Sequence, residues 1–240
     1  MTIEEFSNEF DVLLNSYAAN NPSGIGQGLT QLDEYEKSIL LTEAQESIVR
    51  DLYNGKLTGE SFESTEEQRR NLDSLINTLE LTSKDISKPK MSDNSEFFQL
   101  PSDASEEHPD VWFITYESVL LSDESLGCKN NTRADVIPVR QDEYNSIKNN
   151  PFRGPSDKRV LRIDTGSSVI ELISKYKIQS YFIKYLSKPK PIILQDITDE
   201  NLSINGETKR MGCELNTVLH RTILERAVAL AIKRLPSKNV

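Results

Sequence analysis

The chain has 240 residues, of which 36% are hydrophobic and 28% charged, and its formal net charge is -10. This composition predicts a water-soluble globular protein of one large or two small domains, without the roughly 18 apolar residues in a row that a membrane-spanning helix needs. Two cysteines and two histidines exclude a disulfide framework, match no zinc-binding spacing and indicate a reducing compartment. Residues 1–110 carry 8 basic and 23 acidic side chains, and residues 111–240 carry 20 basic and 15 acidic ones. The favoured interpretation is that acidic helices carry solvated faces, and the alternative is two surfaces that face different partners.

The first element is a helix over residues 2–19. Thr2 and Glu5 form a capping box at its start, and apolar residues recur at helical spacing behind them. The acidic start lacks the basic stretch of a signal peptide, so we expect no cleaved leader. Glycines at 24, 26 and 28 follow a Pro-containing turn; since no strand precedes them, they predict a flexible loop and no nucleotide cofactor.

Two more helices are expected before residue 95. A second helical region begins near Leu32, has Thr42 as an internal cap, and stops at Asn54-Gly55. Ser64 and Glu67 form another capping box for a third helix, whose apolar side consists of Leu72, Leu75, Ile76 and Leu79. Residues 82–96 are rich in Ser, Lys, Asp and Pro and are predicted to be a linker.

The second part of the chain changes from helical to strand-like patterning. A short helix is expected at 141–149 and a polar turn region at 201–212, and strands are predicted at 111–121, 135–140, 159–164, 168–173, 178–186 and 192–194. Pro189 and Pro191 cannot donate to a ladder, so the segment around them should end or edge a sheet.

A long helix over about 215–235 closes the chain. Its apolar residues cover most of the circumference, which predicts that it is buried or packed between subunits. The order of elements indicates an α+β fold: a helical bundle with an inserted antiparallel β domain and a long C-terminal helix. The expected domains are a helical region at 1–95, a β-rich domain at 96–212, and the C-terminal helix at 213–240.

One string suggests catalysis. Asp164-Thr165-Gly166 follows an apolar strand, as in aspartic proteases, whose chemistry needs two carboxylates that share a proton. No second such string occurs, so a protease would have to be a homodimer. The favoured interpretation is a hairpin turn in which Gly166 supplies a positive φ.

Several strings together resemble structural proteins of crAss-like phages, the short-tailed phages of gut bacteria. They lie at residues 32–38, 41–45, 136–139, 142–144, 150–155, 185–194 and 213–231. The strand with Lys188-Pro189-Lys190-Pro191, followed by the helix with His220, is the most specific of them. More distantly, the layout is similar to that of the adaptor proteins beneath the portal of short-tailed phages.

The resemblance implies a non-enzymatic ring protein of the virion, assembled in the host bacterial cytoplasm. A ring of about twelve copies would lie beneath the portal, contact neighbouring connector and tail rings, and extend the channel for genomic DNA without reading its sequence. Neither metal nor cofactor is implied. The candidate packing or oligomer contacts are His220, Ile223, Ala227, Ala231, Pro189 and Pro191. The alternatives are a homodimeric aspartic protease using Asp164 and an intracellular protein-binding module.

Overall fold

A computed structural model describes residues 1–19, 32–56, 59, 65–102, 108–199 and 201–234. The chain divides into two compact units. The first, here the helical unit, combines Met1–Leu75 with Pro189–Val240, and the second, the sheet unit, is Ile76–Lys188. The sheet unit is thus inserted into the helical unit.

The described elements follow in chain order. They are α1 (Ile3–Ala19), α2 (Glu34–Tyr53), α3 (Glu66–Asn71), β1 (Ile76–Leu81), β2 (Ser95–Gln99), β3 (Val111–Leu121), β4 (Thr132–Pro138), α4 (Gln141–Ile147), β5 (Arg159–Asp164), β6 (Val169–Ile173), β7 (Ile178–Ser187) and α5 (Thr217–Arg234). These elements confirm an α+β fold in which the chain closes with a long helix.

Side-chain caps start the first two helices. The Thr2 hydroxyl accepts the Glu5 N–H at 3.2 Å while the Glu5 carboxylate accepts the Thr2 N–H at 2.7 Å, which confirms the predicted capping box. Asp33 and Glu36 form a second box at α2. This helix ends at the predicted stop, where Gly55 adopts a φ of +69°. The proposed cap at Ser64 and the glycine loop at 24–28 lie outside the described residues.

The sheet unit is a seven-stranded sheet in the order β1-β7-β3-β4-β5-β6-β2. It is mixed rather than wholly antiparallel, because β4 and β5 run parallel and are joined through α4. One face of the sheet carries the large apolar cluster that includes Phe98, Val119 and Tyr181. On the other face, Tyr144 of α4 packs with Leu161 of β5. The two parallel strands and α4 therefore form a β-α-β unit with its own small core.

Three local predictions are wrong. Ile76–Leu81 is an antiparallel strand beside β7 instead of the end of a helix, so α3 is only six residues long. Ser95–Gln99 is a strand at the end of the expected linker, paired with β6. Residues 192–194 form only an isolated bridge, between Ile193 and Met211. The unit boundaries, at 75/76 and 188/189, differ from the expected 95/96 and 212/213 because β1 belongs to the sheet and the segment after β7 docks on α2.

Candidate interaction surfaces

Helix α5 has one buried face and one exposed face. Ile223, Ala227 and Ala231 follow one another at four-residue spacing and are buried where α5 packs against α1 and α2. Glu225 and Ala229 are exposed on the opposite side. Within its own chain the helix is therefore buried on one side only, and its three candidate contact residues are packing contacts of that chain. Packing between subunits stays a prediction for the exposed side.

His220, the fourth candidate on α5, lies in a buried polar niche. Its Nδ1 is 2.8 Å from the Met1 amino nitrogen, and its Nε2 is 3.0 Å from the carbonyl oxygen of Leu215. An amino group donates and a carbonyl accepts, so the pair of contacts fits the neutral ring with its proton on Nε2. Burial lowers the pKa of His220, and the positive Met1 amino group acts in the same direction. His220 is thus held neutral within the helical unit.

Pro189 and Pro191 begin an extended stretch, here called the docked segment (residues 189–194). Both prolines are buried while Lys190 between them is exposed, and residues 192–194 after them are buried as well. The Lys190 ammonium lies 3.2 Å from the Glu214 carboxylate. The two prolines therefore face the interior of the helical unit.

Polar side chains of α2 hold the main chain of the docked segment. Gln45 donates to the carbonyl of Lys190 at 2.8 Å. Thr42 Oγ1 accepts the N–H of Ile192 at 3.1 Å and donates to its carbonyl at 3.3 Å. Ser38, one turn before Thr42, accepts the N–H of residue 194 at 3.0 Å. Thr42 is thus not an internal cap; it is the centre of a ladder in which helix side chains replace a neighbouring strand.

Ion pairs join the acidic N-terminal helices to the basic C-terminal part inside the helical unit. They are Glu4 with Arg210, Glu9 with Arg221, Glu43 with Arg234, and Asp51 with Arg226. Arg226 also donates to the Ser47 hydroxyl at 2.9 Å. Part of the charge imbalance between the two halves of the sequence is therefore neutralised within one unit, and does not lie on separate surfaces.

Asp164 ends β5 and is followed by the predicted hairpin to β6. Gly166 has a φ of +80°, and β5 and β6 are antiparallel, which confirms the turn. The Asp164 side chain is 69% exposed, and its Oδ1 lies 3.4 Å from Arg162 Nε. A protease carboxylate pair shares one proton in a sheltered site, and this solvated carboxylate beside a guanidinium lacks that environment.

A largely buried polar cluster that the sequence did not predict joins three strands. Glu117 of β3 lies 2.7 Å from Arg162 of β5 and accepts the hydroxyl of Tyr181 of β7 at 2.7 Å. Burial raises the pKa of Glu117, against the opposing effect of the guanidinium. Burial also raises the pKa of Tyr181. The sequence predicted the strand at 111–121 but gave no sign of the partners of Glu117.

An open cleft, here the α4 cleft, lies at the end of β4 and the start of α4. Its volume is about 490 Å³, and its lining is Pro138, Val139, Arg140, Gln141, Asp142 and Asp164. Arg140 lies 2.8 Å from Asp142, and Gln141 donates to the carbonyl of Asp164 at 3.2 Å. The cleft combines an apolar wall with two carboxylates and one guanidinium.

The turn at residues 150–155, here the Phe152 loop, displays a single aromatic ring. Phe152 is 84% exposed, yet the loop around it is closely held. Asn150 Oδ1 accepts the N–H of Phe152 at 2.8 Å and that of Arg153 at 3.2 Å, while Gly154 donates to the Asn150 carbonyl at 2.7 Å. A Cβ at Gly154 would lie 2.7 Å from that carbonyl oxygen, so only glycine fits. The Asn-Pro-x-x-Gly-Pro pattern is the sequence signal for this loop.

Within the described ranges, no three His, Cys, Asp or Glu side chains are arranged to hold a metal ion. Over the same ranges, no helix has the length and apolar character needed to cross a bilayer.

Comparison with known proteins gives full-length matches. A family model of phage tail ring protein 3/4 matches residues 1–238. Ring protein 3 of Bacteroides phage crAss001 is 50% identical over 234 residues, which cover 97% of this chain and 95% of the relative. Ring protein 4/5 of the same phage is 32% identical over 244 residues, covering 96% and 92%. These matches confirm the resemblance to ring proteins of crAss-like phages.

Proposed function

The chain belongs to the phage tail ring protein 3/4 family of crAss-like phages, and from that membership we propose that it is a structural protein of the virion. It forms a ring of about twelve copies in the head-to-tail connector. The ring lies beneath the portal, contacts neighbouring ring and tail proteins, and extends the channel through which genomic DNA passes. Assembly takes place in the cytoplasm of the host bacterium.

The observation that carries this proposal is the 50% identity to Ring protein 3 of crAss001 over nearly the whole of both chains. The match spans the helical unit and the sheet unit together, so neither unit is an addition that would supply an unrelated activity. The net charge of -10 further supports a channel wall that does not bind DNA tightly, because tight binding requires many neutralised phosphates.

We further propose that the chain is not an enzyme. Asp164, the one residue that suggested catalysis, is solvated and lies beside Arg162 instead of sharing a proton with a second carboxylate. The Asp164→Asn variant is expected to be incorporated into infectious particles like the wild-type chain. Peptide cleavage that disappears in this variant would contradict the proposal.

Quantitative mass spectrometry of purified particles tests the structural role. Peptides of this chain are measured against those of the major capsid protein, and we expect a fixed ratio that corresponds to about twelve copies per particle. A chain that is abundant in infected cells but absent from particles would refute the proposal and would favour a protein-binding role inside the cell.

A further inference from the structure

Phe152 is the most exposed large hydrophobic side chain in the described part of the chain, and three hydrogen bonds to Asn150 hold the loop that carries it. Exposed loops normally carry polar residues at their tips, whereas this tip carries Pro151 and Phe152, both exposed. The hydrogen bonds from Asn150 and the tight fit of Gly154 fix its shape before any partner binds. Preorganisation of this kind lowers the entropy lost on binding, and a rigid aromatic side chain is a typical anchor at protein interfaces.

The Phe152 loop and the α4 cleft lie at opposite ends of one β-α-β unit. Because β4 and β5 are parallel, their starts lie at one end and their last residues at the other. The loop precedes β5 and is tied to its start, where Arg159 donates to the Phe152 carbonyl. The cleft lies at the end of both strands, beyond a β5 that spans about 20 Å at ~3.3 Å per residue.

The chemistry of the two surfaces is complementary. Phe152 is flanked by Arg153, and the exposed Lys148 and Lys158 add positive charge nearby. In the cleft, Pro138 and Val139 offer an apolar wall for an aromatic side chain. Asp142 and Asp164 already lie beside Arg140 and Arg162 of their own chain, but both carboxylates are mostly exposed and can accept from a further guanidinium. A volume of about 490 Å³ leaves room for an aromatic side chain.

We propose that the Phe152 loop of one copy inserts into the α4 cleft of the next copy in the ring. This inference rests on the proposed function, because it assigns the contact by which the ring closes. A ring of identical copies needs two different, mutually complementary patches on each copy, joined head to tail. A projection and a recess at opposite ends of the same rigid unit meet that requirement.

Photo-crosslinking in assembled phage tests the contact. A benzoylphenylalanine is placed at position 152 of the chain supplied to a phage that lacks the gene, and particles are irradiated and digested. We expect peptides of a second copy of this chain, joined at residues 138–142 or at Asp164. The same probe at Tyr17, an exposed aromatic position on α1, is the control and should not crosslink to the cleft.

Substitution of Phe152 gives a second, independent test of the contact between copies. Since Phe152 is almost fully exposed, Phe152→Ala should keep the melting temperature of the isolated chain, while the number of copies per particle falls at least tenfold. Tyr17→Ala is the matched control and should leave incorporation unchanged. If Phe152→Ala is incorporated at the wild-type level, or if position 152 crosslinks only to other phage proteins, the proposed contact is wrong. The proposal that the copies form a ring is not affected by either result. Absence of the wild-type chain from particles would overturn both the ring and the contact.

Discussion

The ladder between α2 and the docked segment predicts that removal of one buried hydroxyl, that of Thr42, strongly lowers the free energy of unfolding. Thr42→Val keeps the shape and the β-branched side chain but removes the hydroxyl that both accepts from and donates to Ile192. Thr42 and Ile192 are buried, so the amide and the carbonyl of Ile192 would lose their partner without gaining water. Each unsatisfied buried group costs about 1–3 kcal/mol, so for the two groups we expect a loss of about 2–6 kcal/mol in the free energy of unfolding.

Thr42→Ser is the matched control. It keeps both hydrogen bonds and loses one methyl group, which costs about 1 kcal/mol. Urea unfolding followed by circular dichroism at a helix-sensitive wavelength reports the free energy for both variants. A Thr42→Val protein that is as stable as Thr42→Ser, or more stable, would show that the ladder does not hold the docked segment.

Three further predictions concern other contacts of the fold. A double-mutant cycle with Arg226→Met and Asp51→Asn should give a coupling energy of about 1 kcal/mol by urea unfolding, because this pair is only half-buried, and a value near zero would contradict it. Gly154→Ala should lower the free energy of unfolding by about 1–3 kcal/mol, measured by thermal melting, because its Cβ would overlap the Asn150 carbonyl oxygen; unchanged stability would show that the loop yields easily. The folded pKa of His220 lies below its ordinary value of 6.5, so the unfolded state binds the additional proton and stability should fall as the pH drops below about 6.5. Urea unfolding between about pH 7.5 and pH 5.5 should show a smaller loss in His220→Gln than in the wild type, and equal losses would refute this role.

Local patterns predicted most of the elements but not their partners. Residues 72–79 fit a helix because Leu72, Leu75, Ile76 and Leu79 recur at helical spacing. The same stretch from Ile76 onward also tolerates an extended chain, and pairing with β7 decided the outcome. Six residues with ambiguous spacing cannot reveal that they form a strand whose partners lie 100 to 110 positions later in the chain.

At the contact surfaces, too, the sequence predicted the features that depend on neighbouring residues but not those that depend on residues far along the chain. The hairpin at Gly166 and the capping box at Thr2 depend on neighbours in sequence and were predicted. Thr42 suggested a cap, since a hydroxyl inside a helix gives no sign of an extended segment 150 residues later that needs its hydrogen bonds. The exposure of Phe152 was likewise invisible, because an aromatic residue between prolines is compatible with a buried turn as well as with a displayed one.

The split of the helical unit between both ends of the chain has a consequence for synthesis on the ribosome. The first and last strands of the sheet unit pair with each other, Ile76 opposite Leu186, so the two ends of the insertion are neighbours in space. The sheet unit is translated completely before α5. At ~5–20 residues per second, about 10–40 s pass between the synthesis of α2 and that of α5, which packs against it. A chain that ends before α5 therefore contains a complete sheet unit and a helical unit without its last helix, and the ion pairs of Arg221, Arg226 and Arg234 form only after α5 has been translated. The core of the helical unit is thus complete only after α5 has been translated.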